Sequence, residues 1–210
     1  GDAGLVMSTN PQRIPDAFGG AAWQSGYFNE CMSGFEHQAA SHMMAEGLVM
    51  EALAITRAIH DRYHGSRRNP WNEVECSDHY ARAMAAYGTF VSACGFEHHG
   101  PNGHIGFAPR LQRGDFRAAF TAAGAWGTYA QKIDAAAHTA RIEVKWGKLK
   151  LRTLALEAGP ASAAGTTQVQ ATLGTLSLKA TVAREDRRIF ITFAAPVEIP
   201  EGGKLEIRLG

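Results

Sequence analysis

The stretch ARIEVKWGKLKLRTL, residues 140–154, decides how the second half of the chain folds. Apolar residues alternate there with charged ones, first before Gly147 and again after it, which predicts a β-hairpin. The alternating apolar positions are Ile142, Val144, Trp146, Leu149 and Leu151. Three further alternating runs follow, at 173–182, 189–193 and 205–209. We therefore expect residues 136–210 to form a β-rich terminal region, either an antiparallel sheet or half of a sandwich.

Residues 1–135 carry a different pattern, because alanine- and methionine-rich stretches recur there at helical spacing. Four helices are predicted: one over 36–46, one that ends at His64-Gly65, one that stops at Gly95, and one from Asp115 towards Gln131. The second helix has one apolar stripe, formed by Leu48, Ala52, Ile55 and Ile59. The third has another, formed by Tyr80, Met84, Tyr87, Val91 and Cys94. The predicted fold class is therefore α+β, helical before position 135 and β-rich after it.

The charge balance of the chain argues against polyanionic partners. Its 210 residues include 21 Lys and Arg against 20 Asp and Glu, so no long-range field attracts nucleic acid or an anionic membrane. We expect this chain to be soluble and to carry no signal or transmembrane segment, because it has no apolar run of bilayer length and no charged-then-apolar opening. Cys31, Cys76 and Cys94 are widely spaced, which favours free thiols, although one disulfide stays open. The start at Gly1 suggests a fragment, a processed subunit or an incomplete chain.

The segment 67–84 concentrates acids, arginines, a histidine and two aromatic residues. If a helix begins by Glu75, then Glu75, Asp78, His79 and Arg82 share one face. An ordinary amphipathic helix with a solvated polar face explains this pattern. A sugar pocket also explains it, because acids beside aromatic rings bind hydroxyls and cover the apolar faces of a pyranose.

The motif NPWNEVEC (69–76) followed by DHYARAM (78–84) closely resembles the signature of glycoside hydrolase family 116. This family includes bacterial β-glucosidases and the non-lysosomal glucosylceramidase. Shorter matches keep the same order over roughly 26–131: EHQAASHM (36–43), EGL (46–48), RA (57–58), HDRY (60–63), IGFAP (105–109) and WGT (126–128).

The resemblance implies that residues 1–135 are the closing C-terminal helices of an (α/α)6 catalytic barrel. It also implies a retaining mechanism with a carboxylate nucleophile and a second carboxyl group as acid and base. Both family catalytic residues lie upstream of the matched portion. We therefore expect no catalytic residue in this chain, and expect an upstream portion or a second chain to carry them.

Substrate-holding positions can be carried over from the family. Glu73 and Arg82 match the glutamate and arginine that contact glucose hydroxyls, and Trp71, Asp78 and His79 complete the predicted binding set. One departure is Met32, where family members tend to carry tryptophan. Ser77 is another, in place of a common glycine. No cofactor or metal is expected, and the partner expected besides the rest of the enzyme is a glycoside.

Three alternatives remain beside this interpretation. Glu75 and Asp78 could form an acid and base pair within the chain. The histidines at 98, 99 and 104 could bind a metal, although loop hydrogen bonding is the simpler interpretation. The chain could also be a non-catalytic carbohydrate-binding or structural protein that reuses a barrel scaffold. The residues leave open its localisation and whether it forms a homo-oligomer.

Overall fold

The computed structural model describes residues 3–6, 31–73, 76, 78–135, 137–159 and 168–210. The chain divides into two compact units, a helical unit (Gly1–Ala93) and a β unit (Cys94–Gly210). Strands begin at Glu97, so the change from helix to strand lies well before residue 135, where composition alone placed it. Across the described ranges, no helix is long and apolar enough to cross a membrane.

The described part of the helical unit contains three α-helices: α1 (Ser33–Glu46), α2 (Val49–Arg62) and α3 (Ala83–Cys94). The predicted helix over 36–46 is confirmed, with three more residues at its start. Gly47 ends it in the left-handed region at φ +89°, a conformation that favours glycine. A small core joins the helices through buried Ala40, Met44 and Ala52.

A buried ion pair fastens α1 to α2. Glu36, in the first turn of α1, is paired with the guanidinium of Arg62, the last residue of α2. The same two side chains hold segment 3–6, because Leu5 N–H donates to Glu36 Oε1 (2.9 Å) and Arg62 Nη1 donates to the Ala3 carbonyl (2.9 Å). Each charge is therefore paired and hydrogen-bonded, as buried charges require.

The described part of the β unit contains eleven strands, five in one sheet and six in the other. The strands are β1 (Glu97–His99), β2 (His104–Phe107), β3 (Asp115–Ala122), β4 (Ala125–Ile133), β5 (His138–Gly147), β6 (Leu149–Glu157), β7 (Val169–Leu173), β8 (Leu176–Leu178), β9 (Ala180–Glu185), β10 (Arg188–Ile199) and β11 (Lys204–Leu209). One sheet has the order β1-β2-β6-β10-β9 and the other β3-β4-β5-β11-β7-β8. Neighbouring strands are antiparallel except β2 and β6, which are parallel.

The two sheets enclose one apolar core between their facing sides. Its buried side chains come from both sheets, including Phe107, Ile142, Leu154 and Ile191. At its centre the rings of Phe107 and Tyr129 stack with centroids 3.8 Å apart. The β-rich region predicted from the alternating pattern is therefore a sandwich.

The hairpin predicted across Gly147 is wrong. β5 and β6 are consecutive in sequence but belong to different sheets, so the chain crosses from one sheet to the other at Gly147. Gly147 has φ +74°, and a Cβ there would lie 2.2 Å from the Gly124 carbonyl oxygen. Alternation identifies the buried face of each strand, and both strands face the same core. It does not identify the pairing partner.

The predicted fold class, closing helices of an (α/α)6 barrel followed by an antiparallel β region, is also wrong. The described chain is mostly β, in two sheets, with three short helices. The helix expected from Asp115 to Gln131 is instead the antiparallel pair β3 and β4. Phe116 and Phe120 lie four residues apart, which fits one helical stripe and also one face of a strand. The strand forms because it buries Phe116 and Phe120 in the apolar core of the sandwich.

Candidate functional site

The loop between α2 and α3 carries the predicted sugar-binding residues and is fastened by Asn72. The Asn72 amide donates to Asp78 Oδ1 (2.8 Å), and its side-chain oxygen accepts from the His79 backbone N–H (3.0 Å). His79 and Arg82 have φ +63° and +48°, which a right-handed helix cannot contain. The helix predicted to begin by Glu75 therefore begins only at Ala83. Glu75 itself lies outside the described residues.

Glu73 is buried at the base of this loop, with 2% of its surface exposed. Its Oε2 accepts a hydrogen bond from the Ser33 hydroxyl at the start of α1, and its Oε1 accepts one from the Tyr63 hydroxyl after α2. Each carboxylate oxygen thus has one hydrogen-bond donor among the described residues, which leaves it a second lone pair with respect to them. The loop and both helices thus converge on one carboxylate.

A cavity of about 210 Å³ lies beside Glu73. Its polar lining comes from Ser33, His37, His60, Tyr63, Asn72, Glu73 and Tyr80. This volume is below the range of about 300–1,000 Å³ typical of pockets for drug-sized ligands. The cavity therefore suits a small ligand rich in hydroxyl groups.

His37 forms one wall of this cavity as a neutral ring. Burial lowers its pKa, and the nearby carboxylates of Glu36 and Glu73 oppose that shift only in part. Its Nδ1 lies 3.3 Å from the Thr89 hydroxyl, so α3 fixes the orientation of the ring. A neutral histidine can both donate and accept a hydrogen bond.

The helical unit buries two glutamates in different environments. Glu36 faces the guanidinium of Arg62. Among the described residues, the partners of the Glu73 carboxylate are two hydroxyl groups, and no Lys or Arg nitrogen of those residues lies within 4.0 Å of it. Burial of a carboxylate without a cation costs desolvation free energy, and such groups are concentrated at functional sites. Glu36 is therefore structural, whereas Glu73 is the candidate functional carboxylate.

Arg82 lies at a second cavity of about 480 Å³, lined also by Gly34, Phe35, Gln38 and His79. Its guanidinium stacks on the Tyr80 ring at 4.5 Å and donates to Cys76 Sγ at 3.3 Å. A Cβ at Gly34 would lie 3.1 Å from Arg82 Cδ, so glycine allows this close approach. Tyr80 and Ala81 line both cavities, which makes the two cavities neighbours.

The structure brings some of the predicted set together and leaves others apart. Glu73 lines the smaller cavity, whereas Arg82 and His79 line the larger one. Asp78 lines neither of them and instead holds Asn72. Trp71 is 67% exposed and is likewise absent from both linings.

Ser33, His37 and Tyr63 were not predicted as site residues. Ser33 is 40 residues from Glu73 in sequence, so only the packing of the helices brings the two together. His37 and Tyr63 lay inside short matches to the family signature, which was the available signal, whereas Ser33 lay outside every match. In the described residues, no group of three or more His, Cys, Asp or Glu could hold a metal. Cys31, Cys76 and Cys94 form no disulfide among the described residues.

No family model matches the chain, and no curated protein matches it. Among solved structures, the chain is similar to an α-L-rhamnosidase from Dictyoglumus thermophilum, with 9% identity and a TM-score of 0.35. The match covers 66% of this chain and 15% of the rhamnosidase chain. This distant neighbour is a glycoside hydrolase, but a likeness at this level identifies neither site nor substrate. The resemblance to family 116 stays a prediction from the residues.

Proposed function

We propose that the helical unit holds a sugar for a glycoside hydrolase that acts on β-glucosides. The observation that carries the proposal is the buried Glu73 carboxylate, which faces a cavity of about 210 Å³ and is positioned by two hydroxyl groups. Its remaining lone pairs can accept hydrogen bonds from two sugar hydroxyls. Each such charge-assisted bond contributes about 1.5–3 kcal/mol.

Tyr80 and Arg82 extend the site towards the larger cavity. Tyr80 lines both cavities, so its ring offers an apolar surface to a pyranose that lies between them. The Arg82 guanidinium, already stacked on that ring, donates to a hydroxyl of a neighbouring part of the same ligand. A ligand that spans the two cavities is thus held by an acceptor in the smaller one and a donor in the larger one.

The nucleophile and the acid/base group belong, in this proposal, to an upstream segment or a partner chain. A retaining mechanism needs two carboxyl groups about 5–5.5 Å apart at the scissile bond. The exposed apolar side chains of the helical unit support such a partner, because they offer a surface for another polypeptide. The most exposed of them are Leu48, Met50, Trp71 and Met84.

Binding of methyl β-D-glucopyranoside to the 210-residue chain, followed by ligand-observed NMR, tests the site. Glu73→Gln should weaken binding at least about tenfold, or about 1.4 kcal/mol, because an amide accepts fewer hydrogen bonds from hydroxyls. Glu51→Gln, an exposed glutamate on α2, is the matched control and should bind as the wild type does. Equal binding by Glu73→Gln and wild type would remove Glu73 from the site.

Hydrolysis separates this proposal from a non-catalytic carbohydrate-binding protein. The chain alone should not cleave a β-glucoside. Material purified together with its associated polypeptide should cleave it, and Arg82→Ala should lower kcat/KM at least about tenfold. Intact mass and peptide mapping identify that polypeptide. Purified material that binds the glucoside, contains no second polypeptide or upstream segment and shows no hydrolysis would support the non-catalytic alternative.

A further inference from the structure

The outer face of the six-stranded sheet carries a groove of about 590 Å³ within the β unit. Strand register places its polar side chains in two adjacent rows across β3, β4, β5, β11 and β7. The first row contains Arg117, Arg141, Glu206 and Thr172. The second contains Asp115, Lys132, Thr139, Arg208 and Gln170. Long polar side chains therefore converge on one open surface.

Positive charge is in excess in this groove. In the part of the chain that the structure describes, no carboxylate oxygen lies within 4.0 Å of the guanidinium of Arg117, Arg141 or Arg208. Lys132 has only a distant exposed partner, Asp115, at 3.9 Å. Arginine presents a planar fork of donors that matches a carboxylate in a bidentate manner. Three such forks, on β3, β5 and β11 of one sheet, suit a ligand with more than one anionic group.

Two exposed tryptophans lie on the same face, near the start of β4 and the end of β5. Trp126 and Trp146 are register partners on β4 and β5, and their exposed fractions are 50% and 55%. Trp126 has the outward phase of β4, and a β-bulge in β5, with Lys145 as the extra residue, places Trp146 on the same outer face; Gly127 allows the close approach there, because a Cβ would lie 2.0 Å from the Glu143 carbonyl oxygen. Exposed indole rings are costly to leave in water and offer flat apolar surfaces.

The spacing between these features sets the size of the ligand. Trp126 and the first groove row are separated by four residues of β4, which is about 13 Å along the strand. A single sugar cannot contact both, whereas a short chain of sugars can. Glu206, Gln170 and Thr172 add acceptors for hydroxyl groups, which the phosphate backbone of DNA lacks.

We propose that this face, the outer groove together with Trp126 and Trp146, binds an acidic oligosaccharide. Its uronate carboxylates pair with Arg117, Arg141 and Arg208, and the apolar face of a pyranose unit stacks on the tryptophans. The whole chain has a formal net charge of only +1, so recognition depends on local pairing rather than on a long-range field. This binding site is in the β unit and does not depend on the Glu73 cavity.

Isothermal titration of the 210-residue chain with a galacturonate hexamer tests the proposal, with cellohexaose and a single-stranded DNA hexamer as competing ligand classes. The galacturonate should bind tightest, and its affinity should fall as salt is added. Arg117→Gln/Arg141→Gln and Trp126→Ala/Trp146→Ala should each weaken binding at least about tenfold. All four positions are exposed, so the fold should persist, which circular dichroism verifies.

The matched control is Lys148→Gln/Lys150→Gln, which removes two positive charges that pair with Glu198 away from the groove. This variant should bind galacturonate as the wild type does. The proposal is overturned by equal loss of binding in the control, by unchanged binding in the arginine variant, by equal affinity for cellohexaose, or by tighter binding of DNA. None of these outcomes bears on glucoside binding at Glu73.

Discussion

The two units of this chain differ in how completely each buries its own apolar side chains. In the described part of the β unit, 23 buried residues, all but Cys94 from the two facing sheets, form one core cluster. The described part of the helical unit has a core cluster of only three buried residues, and Met84 on α3 is 88% exposed. Burial of apolar surface is the dominant favourable term in folding, so the β unit can be stable on its own. The helical unit therefore needs apolar contacts beyond those among its described residues.

Polar groups differ between the units as well. The helical unit buries charged side chains, with Glu36 paired to Arg62 and Glu73 held by hydroxyls. The β unit also buries a carboxylate, Glu157, which pairs with Arg113 and Arg187, and a neutral histidine, His138, whose ring nitrogens have no hydrogen-bond partner among the described residues. The difference lies in what surrounds these groups, because the described apolar core is small in the helical unit and large in the β unit. The four predictions that follow test this contrast.

The largest effect is expected at the buried ion pair. Arg62→Met leaves Glu36 buried without its cation, which costs about 3–5 kcal/mol. This cost is larger than the stabilisation that so small an apolar core can provide. The helical signal in circular dichroism should therefore be lost, while the β signal remains. Glu36→Gln/Arg62→Met removes both charges and should recover part of the loss. Retained helicity in the Arg62→Met variant would contradict the role given to the pair.

A cavity in the sandwich comes next. Leu154 is fully buried in the β-unit core, and Leu154→Ala should lower the free energy of unfolding by about 3 kcal/mol. Urea denaturation measures this loss, and Leu154→Met, which conserves volume, should cost less than about 1.5 kcal/mol. If the alanine variant unfolds at the wild-type midpoint, Leu154 does not belong to a tightly packed core.

A smaller, pH-dependent effect is expected from His138. Burial lowers its pKa from 6.5 to about 4, so the unfolded chain binds a proton at mildly acidic pH that the folded chain does not. The free energy of unfolding is therefore highest above the unfolded pKa of 6.5 and falls as the pH is lowered towards 4, by about 2 kcal/mol between pH 7 and pH 5.

Urea midpoints of wild type and His138→Leu across this range measure the His138 contribution. The leucine variant should show a flatter pH dependence, because it has no imidazole to protonate. Parallel curves for the two proteins would mean that His138 is not buried as a neutral ring.

The smallest effect is expected at the exposed apolar surface of α3. Met84→Ser should change the free energy of unfolding of the isolated chain by no more than about 0.5 kcal/mol. In the proposed complex with an upstream segment or partner chain, the same substitution should weaken association. A pull-down with the associated polypeptide shows the difference. A strong destabilisation of the isolated chain would mean that this surface is already covered.

Sequence patterns predicted local features better than pairing. The helix over 36–46, the stop at Gly95 and the alternating strands after residue 138 were all visible, because each depends on residues close together in the chain. The strands β3 and β4 were missed because Phe116 and Phe120 fit a helical and a strand period equally. The loop before Ala83 was missed because Asn72, a distant side chain, fixes its turn.

The candidate site was predictable only in part. The family resemblance indicated Glu73 and Arg82, but it gave no geometry. The packing of α1 against α2 brings Ser33 and Tyr63 to Glu73, and no local sequence pattern predicts that contact. Trp71 fitted the composition of a sugar pocket, yet it lies outside both cavities.

Separate expression of residues 1–93 and 94–210 tests most directly whether the two units differ in self-sufficiency. Two-dimensional NMR of each fragment is the measurement, with urea unfolding as support. We predict dispersed amide signals and a cooperative transition for residues 94–210, and collapsed signals for residues 1–93. A stable, monomeric and dispersed fragment 1–93 would contradict the account, because it would show that the helical unit needs no covering polypeptide.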